Sequence, residues 1–485
     1  MIHRLADLAG PETLLPPGAG AITVAGLSAD SRRIAPGWLF AALGGAKTDG
    51  TRFVADAIAN GAVAILAETG RALPDLPVPV LRSDDPRRAL SLMAARFTPG
   101  QPTTILAVTG TSGKTSVAEF TRQILAALGR ESASLGTIGI ARTSGVVYGA
   151  LTTPDPVSLH ASLDALAADG VTHLAMEASS HGLDQRRLDG VRLTAGAFTN
   201  LGRDHLDYHP TMEAYFDAKA RLFDALLVAG QGAVVDIDSS WGLRMVDVAR
   251  RRGLVVTTTG RNGQHLRLAG QRRDGFAQHL VIEAAGARYD IRLPLIGDYQ
   301  ATNALLAAGL AMAAGEQPGT AIEALANLQG VSGRLEIVGA ARGGLAVVDY
   351  AHKPDALAAA LATLRPFVTG RLVCVFGCGG DRDRGKRPLM GRIAVEAADV
   401  VIVTDDNPRS EDPAAIRREI LDGAPGAREI GDRHAAIVAA IGNIDQGDVV
   451  LIAGKGHEEG QIVGDRTWPF SDHAVVRAAL SEITP

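Results

Sequence analysis

The stretch Ile105-Leu-Ala-Val-Thr-Gly110-Thr111-Ser112-Gly113-Lys114-Thr115-Ser116 decides the fold, because an apolar strand runs through a glycine-rich turn into a helix. Glycines let backbone N–H groups converge on an anion, and the N-terminus of the helix adds partial positive charge. Lys114 can reach the β- and γ-phosphates of a nucleotide, and the hydroxyl of Thr115 can bind Mg²⁺. Two residues, not four, separate Gly110 from the Gly113-Lys114 pair, which departs from the common P-loop spacing. The alternative is a glycine-rich turn that binds nothing.

The segments on either side of this loop predict an α/β protein of three domains. Short apolar segments and one helix near 53–60 predict a small α/β domain over residues 1–100, ended by the Pro- and Gly-rich stretch 97–102. Strands then alternate with helices of ten or more residues, which predicts βαβ units and a mostly parallel, P-loop-type sheet over 101–331. Strand-like segments recur at 347–348, 372–376, 400–403 and 449–453. They predict a C-terminal, Rossmann-like doubly wound domain over 332–485.

Composition excludes several classes of protein. Of 485 residues, 46% are hydrophobic and 21% charged, which is ordinary for a soluble globular protein and excludes a disordered chain. The longest apolar runs are strand-sized, so no membrane span is predicted, and the N-terminus lacks an export signal, so we expect a cytoplasmic protein. A net charge of −5 argues against a nucleic-acid-binding platform. The two cysteines, Cys374 and Cys378, cannot form a disulfide framework or a zinc site and are interpreted as buried thiols.

Lysine is rare in this chain. Only six of the 48 basic residues are lysine, and the other 42 are arginine. Arginine keeps its charge, whereas lysine can lose its proton and act as a nucleophile. A lysine in an arginine-rich sequence therefore suggests a position where the exchange is not accepted.

Three residues after the loop are candidates for a metal-binding site. Glu177 ends a predicted strand and is a candidate Mg²⁺ ligand, although a solvated carboxylate is the alternative. His205 lies in a loop rich in metal-binding groups, although it could equally be a surface or helix-capping histidine. Lys219 lies on a predicted amphipathic helix, where a lysine is usually solvated. If it is partly desolvated, its amine can lose its proton and add CO₂, and the resulting carbamate could bind a metal.

These motifs resemble those of the Mur ligase family. In the first half of the chain the resemblance rests on Gly110-Thr-Ser-Gly-Lys-Thr-Ser116, Glu177-Ala-Ser-Ser-His-Gly182, Asn200-Leu-Gly-Arg-Asp-His-Leu-Asp207 and Tyr215-Phe-Asp-Ala-Lys219. It continues through Asn303, Ser332-Gly-Arg334-Leu-Glu336, Asp349-Tyr-Ala-His352, Gly377-Cys-Gly-Gly-Asp-Arg382-Asp-Arg-Gly-Lys386, Asp406-Asn-Pro-Arg409 and Gly454-Lys-Gly-His-Glu458. The motifs occur in order along essentially the whole chain.

The resemblance implies three domains that hold a UDP-sugar, ATP and an incoming amino acid. It implies a monomeric ATP-dependent ligase of peptidoglycan precursor synthesis, which joins meso-2,6-diaminopimelate to UDP-MurNAc-L-Ala-D-Glu through an acyl phosphate. It also implies that Lys219 is carbamylated and that the catalytic residues are Lys114, Lys219, Glu177 and His205. Two Mg²⁺ ions would then be held with the help of Thr115, Glu177, His205 and the Lys219 carbamate.

The same resemblance implies three sets of binding residues. The ATP set comprises Gly110, Thr111, Ser112, Gly113, Lys114, Thr115, Ser116, Asn303, Arg334, Asp349 and His352. The UDP-MurNAc-dipeptide set comprises Ala29, Ser31, Ala46, Lys47, Thr48, Thr152, Thr153, Ser179, Gln185 and Arg187. The diaminopimelate set comprises Arg382, Asp406, Asn407, Pro408, Arg409, Gly454 and Glu458.

The choice of amino acid can be argued from charge. Diaminopimelate carries a second carboxylate, which the Arg409 guanidinium can clamp in a bidentate manner while repelling the terminal ammonium of a lysine. Arg382 is a second partner for this carboxylate, and Asp406, Asn407 and Glu458 can accept or orient the adjoining amine. Three alternatives stay open: an L-lysine-adding Mur ligase, a folylpolyglutamate-synthase-like ligase, and a nucleotide-gated switch that hydrolyses ATP without forming a bond.

Overall fold

The fold is described from a computed structural model, for residues 2–45, 49–147, 151–206 and 208–483. The chain divides into two compact units. The first comprises Met1–Leu268, Ile282–Tyr289 and Thr302–Ala324, and the second comprises Ala269–Val281, Asp290–Ala301 and Leu325–Pro485. Three main sheets with helices against them give the α/β class that the sequence predicts.

The N-terminal part of the first unit is a four-stranded parallel sheet in the order β3-β4-β5-β6. Its buried leucines and alanines pack against the helix that closes this part of the chain. The elements are β1 (His3–Arg4), α1 (Leu5–Leu8), β2 (Thr23–Val24), β3 (Gly26–Ser28), β4 (Trp38–Ala41), α2 (Val54–Ala59), β5 (Ala62–Glu68), β6 (Val80–Ser83) and α3 (Pro86–Phe97).

The second sheet has eleven strands in the order β10-β9-β8-β11-β7-β12-β13-β14-β15-β16-β17. Its strands are β7 (Thr104–Thr109), β8 (Ser132–Gly136), β9 (Gly139–Arg142), β10 (Gly145–Val147), β11 (His173–Glu177), β12 (Ala195–Phe198), β13 (Gly232–Asp236), β14 (Val255–Gly260), β15 (Leu266–Asp274), β16 (Ala277–Ala284) and β17 (Ala287–Leu293). Its helices are α4 (Lys114–Ala127), α5 (Pro156–Ala168), α6 (Ser180–Asp184), α7 (Met212–Arg221), α8 (Ser240–Arg251), α9 (Tyr299–Ala313) and α10 (Pro318–Glu323).

Parallel pairing in this sheet brings the functional segments to one edge. Strand β7 pairs in parallel with β11 on one side and β12 on the other. Because the carboxyl ends of parallel strands meet at the same edge, the glycine-rich loop, Glu177 and the segment after Phe198 lie together. Helix α7 starts at a capped position, where the Thr211 side chain accepts from the Ala214 N–H at 3.1 Å.

The third sheet, in the second unit, has the order β18-β19-β23-β20-β21-β22, and only β18 is antiparallel to its neighbour. Its elements, with a separate hairpin of β24 and β25, are β18 (Glu336–Ala341), β19 (Gly344–Asp349), α11 (Pro354–Leu364), β20 (Leu372–Phe376), α12 (Lys386–Ala397), β21 (Val400–Val403), α13 (Pro413–Leu421), β22 (Arg428–Glu429), α14 (Arg433–Gly442), β23 (Val449–Ala453), β24 (Gly460–Val463), β25 (Arg466–Pro469) and α15 (Asp472–Ile483).

Several predictions about single residues can be compared with these elements. Both cysteines are buried as free thiols, as predicted. Among the helices that the structure describes, none is long and apolar enough to cross a membrane. The domain boundaries at 100 and 331 stay predictions. Of the UDP-MurNAc-dipeptide set, Ala46, Lys47 and Thr48 lie outside the described residues, as does Asp207 of the histidine-rich motif.

Candidate active site

The glycine-rich loop between β7 and α4 depends on two glycines. Gly110 has φ +149° and Gly113 has φ +89°, backbone conformations that L side chains rarely adopt. A Cβ on Gly113 would lie 2.4 Å from Asn303 Oδ1, so the loop and the buried Asn303 of the predicted ATP set are in close contact. Helix α4 begins at Lys114 and carries Thr115 and Ser116 in its first turn.

The segment after β12 holds the loop in place. The Thr111 N–H donates to Asn200 O at 2.9 Å, and the Ser112 N–H donates to Asn200 Oδ1 at 3.0 Å. In return, Thr199 Oγ1 donates to Ser112 O at 2.7 Å. Asn200 lies in one of the sequence motifs, but its role was not predicted, because a bond across 88 residues is not visible in a local pattern.

Two lysines converge on the first carbonyl of the loop. Lys114 Nζ donates to Gly110 O at 3.0 Å and to Thr111 O at 2.9 Å. Lys219 Nζ donates to the same Gly110 O at 2.7 Å and lies 4.3 Å from the centroid of the Tyr215 ring. Lys219 is only 1% exposed, so the expectation of desolvation is met. Burial, together with the charge of Lys114, holds the pKa of Lys219 well below its ordinary value.

Glu177 lies at the end of β11, as predicted, but its carboxylate is engaged by a residue that sequence reasoning missed. Glu177 is 1% exposed. Its Oε1 accepts from the Thr137 N–H at 2.7 Å, and its Oε2 accepts from Thr137 Oγ1 at 3.2 Å. Thr137 Oγ1 also lies 3.1 Å from Thr152 Oγ1, so this contact links the carboxylate to the predicted UDP-MurNAc-dipeptide set.

His205 lies in a group of histidine and tyrosine rings. It adopts φ +54°, its ring centroid lies 4.9 Å from that of His181 and 6.1 Å from that of Tyr215, and Nε2 is 3.5 Å from Asp204 Oδ2. Among the residues described, no group of three or more His, Cys, Asp or Glu side chains is arranged to hold a metal ion. Glu177 and His205 therefore do not form a complete metal site by themselves.

Five residues of the UDP-MurNAc-dipeptide set are joined by hydrogen bonds or line one cavity. Thr153 Oγ1 lies 3.0 Å from Ser179 Oγ and donates to Glu177 O at 3.0 Å. Arg187 donates to Thr153 O at 2.6 Å and to Gln185 Oε1 at 2.7 Å. Burial lowers the pKa of Arg187, yet an arginine keeps its charge for binding anions.

Gln185 and Arg187 also line a cavity of about 330 Å³ in the first unit. The other residues lining it are Ser28, Ala29, Asp30, Arg33, Leu43, Arg87, Leu90, Asp155 and Pro156. Ser31 does not line this cavity; it is buried in the adjacent turn Ser31–Arg33, where its carbonyl accepts from Asn60 Nδ2 at 3.1 Å. Arg33 and Arg87, which were not predicted, join Arg187 in giving the cavity a cationic wall, which the acidic side chains of Asp30 and Asp155 offset in part.

In the second unit, three predicted ATP residues lie close together at the carboxyl end of β19. Asp349 accepts from the Leu335 N–H at 2.7 Å and from the Ala351 N–H at 2.8 Å, and burial raises its pKa. The Arg334 guanidinium lies 5.3 Å from the centroid of the Tyr350 ring. His352 Nδ1 lies 2.8 Å from Tyr350 O, and burial lowers its pKa. This favours a neutral imidazole.

The predicted diaminopimelate residues also cluster in the second unit, at the ends of β21 and β23. Asn407 Nδ2 donates to Glu458 Oε2 at 2.8 Å. Burial raises the pKa of Asp406, and a Cβ on Gly454 would lie 2.7 Å from Asp406 Oδ2. The carbonyl oxygen of Pro408 would lie 1.9 Å from a Cβ on Gly380, so the loops after β20 and β21 pack tightly.

Arg409 is anchored through its backbone by the hairpin of β24 and β25. It has φ +51°, its N–H donates to Ile462 O at 3.0 Å, and its carbonyl accepts from the Gly464 N–H at 2.7 Å. The guanidinium Nη1 donates to Gly380 O at 2.9 Å, and the side chain of Arg382 is exposed. The structure thus brings most of the predicted set together, with Arg382 at its surface. Lys455, which bonds Asn407, was not predicted.

Comparisons with known proteins cover nearly the whole chain. Three family models match: the Mur ligase family catalytic domain over residues 23–98, the Mur ligase middle domain over 108–311, and the Mur ligase glutamate ligase domain over 333–456. The chain is 57% identical over 483 residues to UDP-N-acetylmuramoyl-L-alanyl-D-glutamate–2,6-diaminopimelate ligase of Bradyrhizobium diazoefficiens, covering 99% of each chain. It is 55% identical to the protein of the same name from Agrobacterium fabrum, again covering 99% of each.

A solved structure of UDP-N-acetylmuramoyl-L-alanyl-D-glutamate–2,6-diaminopimelate ligase is also similar, with 33% identity and a TM-score of 0.73 over 99% of each chain. Folylpolyglutamate synthase of Mycobacterium tuberculosis has the same fold at 20% identity, with a TM-score of 0.59 over 76% of this chain and 92% of that one.

Proposed function

Because this chain belongs to the Mur ligase family, we propose that it is the ATP-dependent ligase that adds meso-2,6-diaminopimelate to UDP-MurNAc-L-Ala-D-Glu. The products are UDP-MurNAc-tripeptide, ADP and phosphate. Relatives named UDP-N-acetylmuramoyl-L-alanyl-D-glutamate–2,6-diaminopimelate ligase match over the full length of the chain. This favours diaminopimelate addition over the folylpolyglutamate-synthase-like alternative.

The observation that carries the proposal is the pair of lysines on Gly110 O. A loop that only needed one cation for phosphate would not need a second, buried lysine with a lowered pKa. A neutral Lys219 amine can attack CO₂: its nitrogen forms the new N–C bond, one proton is released, and the lysine becomes an anionic carbamate. This reaction replaces a neutral amine beside Lys114 with an anion that attracts the Lys114 ammonium.

Oxygen donors at this edge fit magnesium. Mg²⁺ prefers carboxylate and hydroxyl oxygens, which Thr115 and Glu177 supply, and a Lys219 carbamate would add another. An unmodified Lys219 ammonium does not fit, so we infer that the carbamate belongs to the metal site, with His205 as a further ligand. When bound, Mg²⁺ supplies charge neutralisation at the phosphate oxygens.

The chain's own residues provide for activation of a carboxylate. A carboxylate is a poor electrophile, because its charge repels an amine and its oxygen leaves badly. Lys114, at the start of α4, neutralises charge on the γ-phosphoryl group as it transfers to the glutamyl side-chain carboxylate of the bound dipeptide. The resulting acyl phosphate is attacked by the amino group of the third residue, which forms the amide and releases phosphate.

The UDP-linked dipeptide and diaminopimelate bind at the two sets of residues that are predicted for them. Arg187, Gln185 and the cationic cavity wall hold the UDP-linked dipeptide in the first unit. In the second unit, Arg409 binds the distal carboxylate of diaminopimelate, and Asn407 and Glu458 orient the adjoining groups. The monomeric state, the cytoplasmic location and the three domain boundaries stay predictions.

The test is phosphate release from Mg·ATP, measured with each substrate omitted in turn. We expect turnover only when UDP-MurNAc-L-Ala-D-Glu and meso-diaminopimelate are both present, with mass spectrometry detecting the tripeptide product. Turnover that does not depend on the amino acid would contradict ligation and favour a nucleotide-gated switch.

A further inference from the structure

Lys455 is a buried lysine in the cluster around Asp406 and Asn407. Its side chain is fully buried, at 0% exposure. In a chain whose basic residues are nearly all arginine, a lysine in a closed space indicates that a compact ammonium is needed there. Neither the mechanism above nor the sets of binding residues gives it a role.

Each atom of the Asn407 side-chain amide has a partner of defined polarity. Asn407 Oδ1 accepts from Lys455 Nζ at 2.9 Å and from the Ile462 N–H at 2.9 Å. Asn407 Nδ2 donates to Glu458 Oε2 at 2.8 Å. An ammonium and a backbone N–H can only donate, and a carboxylate can only accept. If the amide were flipped, Nδ2 would face the two donors and Oδ1 would face the carboxylate, so these hydrogen bonds could not form.

From this geometry we propose that Lys455 is a positioning residue, which fixes the orientation of the Asn407 amide so that its N–H group faces the amino-acid site. The inference rests on the proposed function, because it refines how the incoming amino acid is recognised. It changes the expected role of Asn407. Its oxygen already accepts two hydrogen bonds, so Asn407 recognises a carboxylate through Nδ2 and does not accept from an ammonium group.

Lys455 also places a positive charge beside the two carboxylates next to Asn407. Lys455 Nζ lies 3.3 Å from Glu458 Oε2 and 3.9 Å from Asp406 Oδ1. Glu458 Oε2 accepts from both Asn407 and Lys455, which leaves Oε1, within the described part of the chain, to receive the ammonium of the amino acid. Asn407 thus offers the amino acid a hydrogen-bond donor, and Glu458 offers it an acceptor. Without Lys455, two carboxylates would share this space with an amide that has lost its charged donor and keeps only the Ile462 N–H and Glu458 as partners.

The experiment compares steady-state kinetics of the full-length wild-type protein with those of Lys455→Met. Met keeps the length of the side chain and removes the ammonium. Loss of a hydrogen bond from a charged donor predicts a KM for meso-diaminopimelate that rises about 10- to 100-fold. The KM for UDP-MurNAc-L-Ala-D-Glu should stay within about twofold, since the residues predicted to bind it lie in the first unit.

A double-mutant cycle separates positioning from a general effect. If Lys455 acts through Asn407, then in an Asn407→Ala background the further change Lys455→Met should raise the KM for meso-diaminopimelate less than twofold. Equal effects of Lys455→Met in both backgrounds would overturn the proposal. Asn407→Asp supplies a second test that keeps the bond from Lys455. It should also raise this KM about tenfold or more, and an unchanged value would overturn the proposal.

Arg371→Met is the matched control for lost stability. Arg371 pairs with the buried Asp448 at 2.6 Å, and it lies at the amino end of β20, the opposite edge of the same sheet. This variant should lower the melting temperature without changing the KM for meso-diaminopimelate. Failure of the wild type to form tripeptide would contradict the proposed function. A normal wild type with an unchanged Lys455→Met KM would contradict only the role of Lys455.

Discussion

Replacing Lys219 with Met tests whether the buried amine is neutral in the folded protein. Among the residues that the structure describes, Lys219 Nζ makes one hydrogen bond, to Gly110 O, and Lys114 donates to the same oxygen. Met removes that bond but fills similar space, so the loss from the bond alone is about 1 kcal/mol. The larger effect concerns pH, because the pKa of Lys219 is held well below that of a lysine in the unfolded chain.

The sign of this effect follows from proton binding. Between the lowered pKa and about pH 10, the unfolded wild type binds a proton at Lys219 that the folded protein does not. Wild-type stability therefore rises with pH in this window, by about 1.4 kcal/mol per pH unit, and Lys219→Met lacks this slope. Relative to the wild type, Lys219→Met should be at its most stable at low pH and should lose that advantage as pH increases.

The assay is urea unfolding of both proteins at pH 8 and pH 9 in CO₂-free buffer, with the exposed Lys353→Met as the matched control. The difference in free energy of unfolding between wild type and Lys219→Met should change by up to about 1.4 kcal/mol between the two pH values. In buffer with CO₂, tripeptide formation by Lys219→Met should fall about 100-fold or more. A pH-independent difference would refute the neutral amine, and unchanged activity would refute its role.

Three further predictions concern the loop, a buried carboxyl and a buried ion pair. Gly113→Ala should raise the KM for ATP about tenfold and cost more stability than Gly129→Ala, which has φ +78° but open space around its Cβ position. Thermal unfolding and ATP titration check this, and equal stability losses would contradict the close contact with Asn303. Asp236 Oδ2 has no hydrogen-bond partner among the described residues, and burial raises the pKa of Asp236 to about 7. Because the pKa of this carboxyl is raised in the fold, the wild type loses stability as pH rises toward that value. The free energy of unfolding of Asp236→Asn, measured with urea, should therefore increase relative to that of the wild type by at most about 1.4 kcal/mol per pH unit between pH 5 and pH 7. A constant difference would show that Asp236 is not protonated in the fold. Arg433→Met should cost about 3–5 kcal/mol in unfolding free energy, because it leaves the fully buried Asp472 without its partner at 2.7 Å. Adding Asp472→Leu should recover part of that loss, and no recovery would contradict this reasoning.

The sequence predicted well those features that depend on continuous local patterns. Strands β20, β21 and β23 have the predicted bounds, because short apolar runs bounded by turns must be buried. The glycine-rich loop was recognisable because its glycines and lysine are consecutive. Glu177 was identified because the end of a strand at this edge of a parallel sheet is a usual place for a ligand.

Features that depend on contacts between distant segments were not predictable. Thr137 engages Glu177 across 40 residues, and Lys455 reaches Asn407 across 48. Neither Thr137 nor Lys455 lies in a local pattern that marks it as a buried polar residue. A lysine that follows a glycine resembles a surface residue. Arg433 was missed for the same reason, because its burial depends on Asp472 in the last helix.

The measurement that tests the central claim most directly compares meso-diaminopimelate with L-lysine as the amino-acid substrate, for the wild type and for Arg409→Ala. Product masses identify the tripeptide, and phosphate release gives kcat/KM. We expect the wild type to prefer diaminopimelate by about 10- to 100-fold and Arg409→Ala to lose most of that preference. Equal use of lysine by the wild type would contradict the Arg409 clamp, and the absence of tripeptide with either amino acid would contradict the ligase itself.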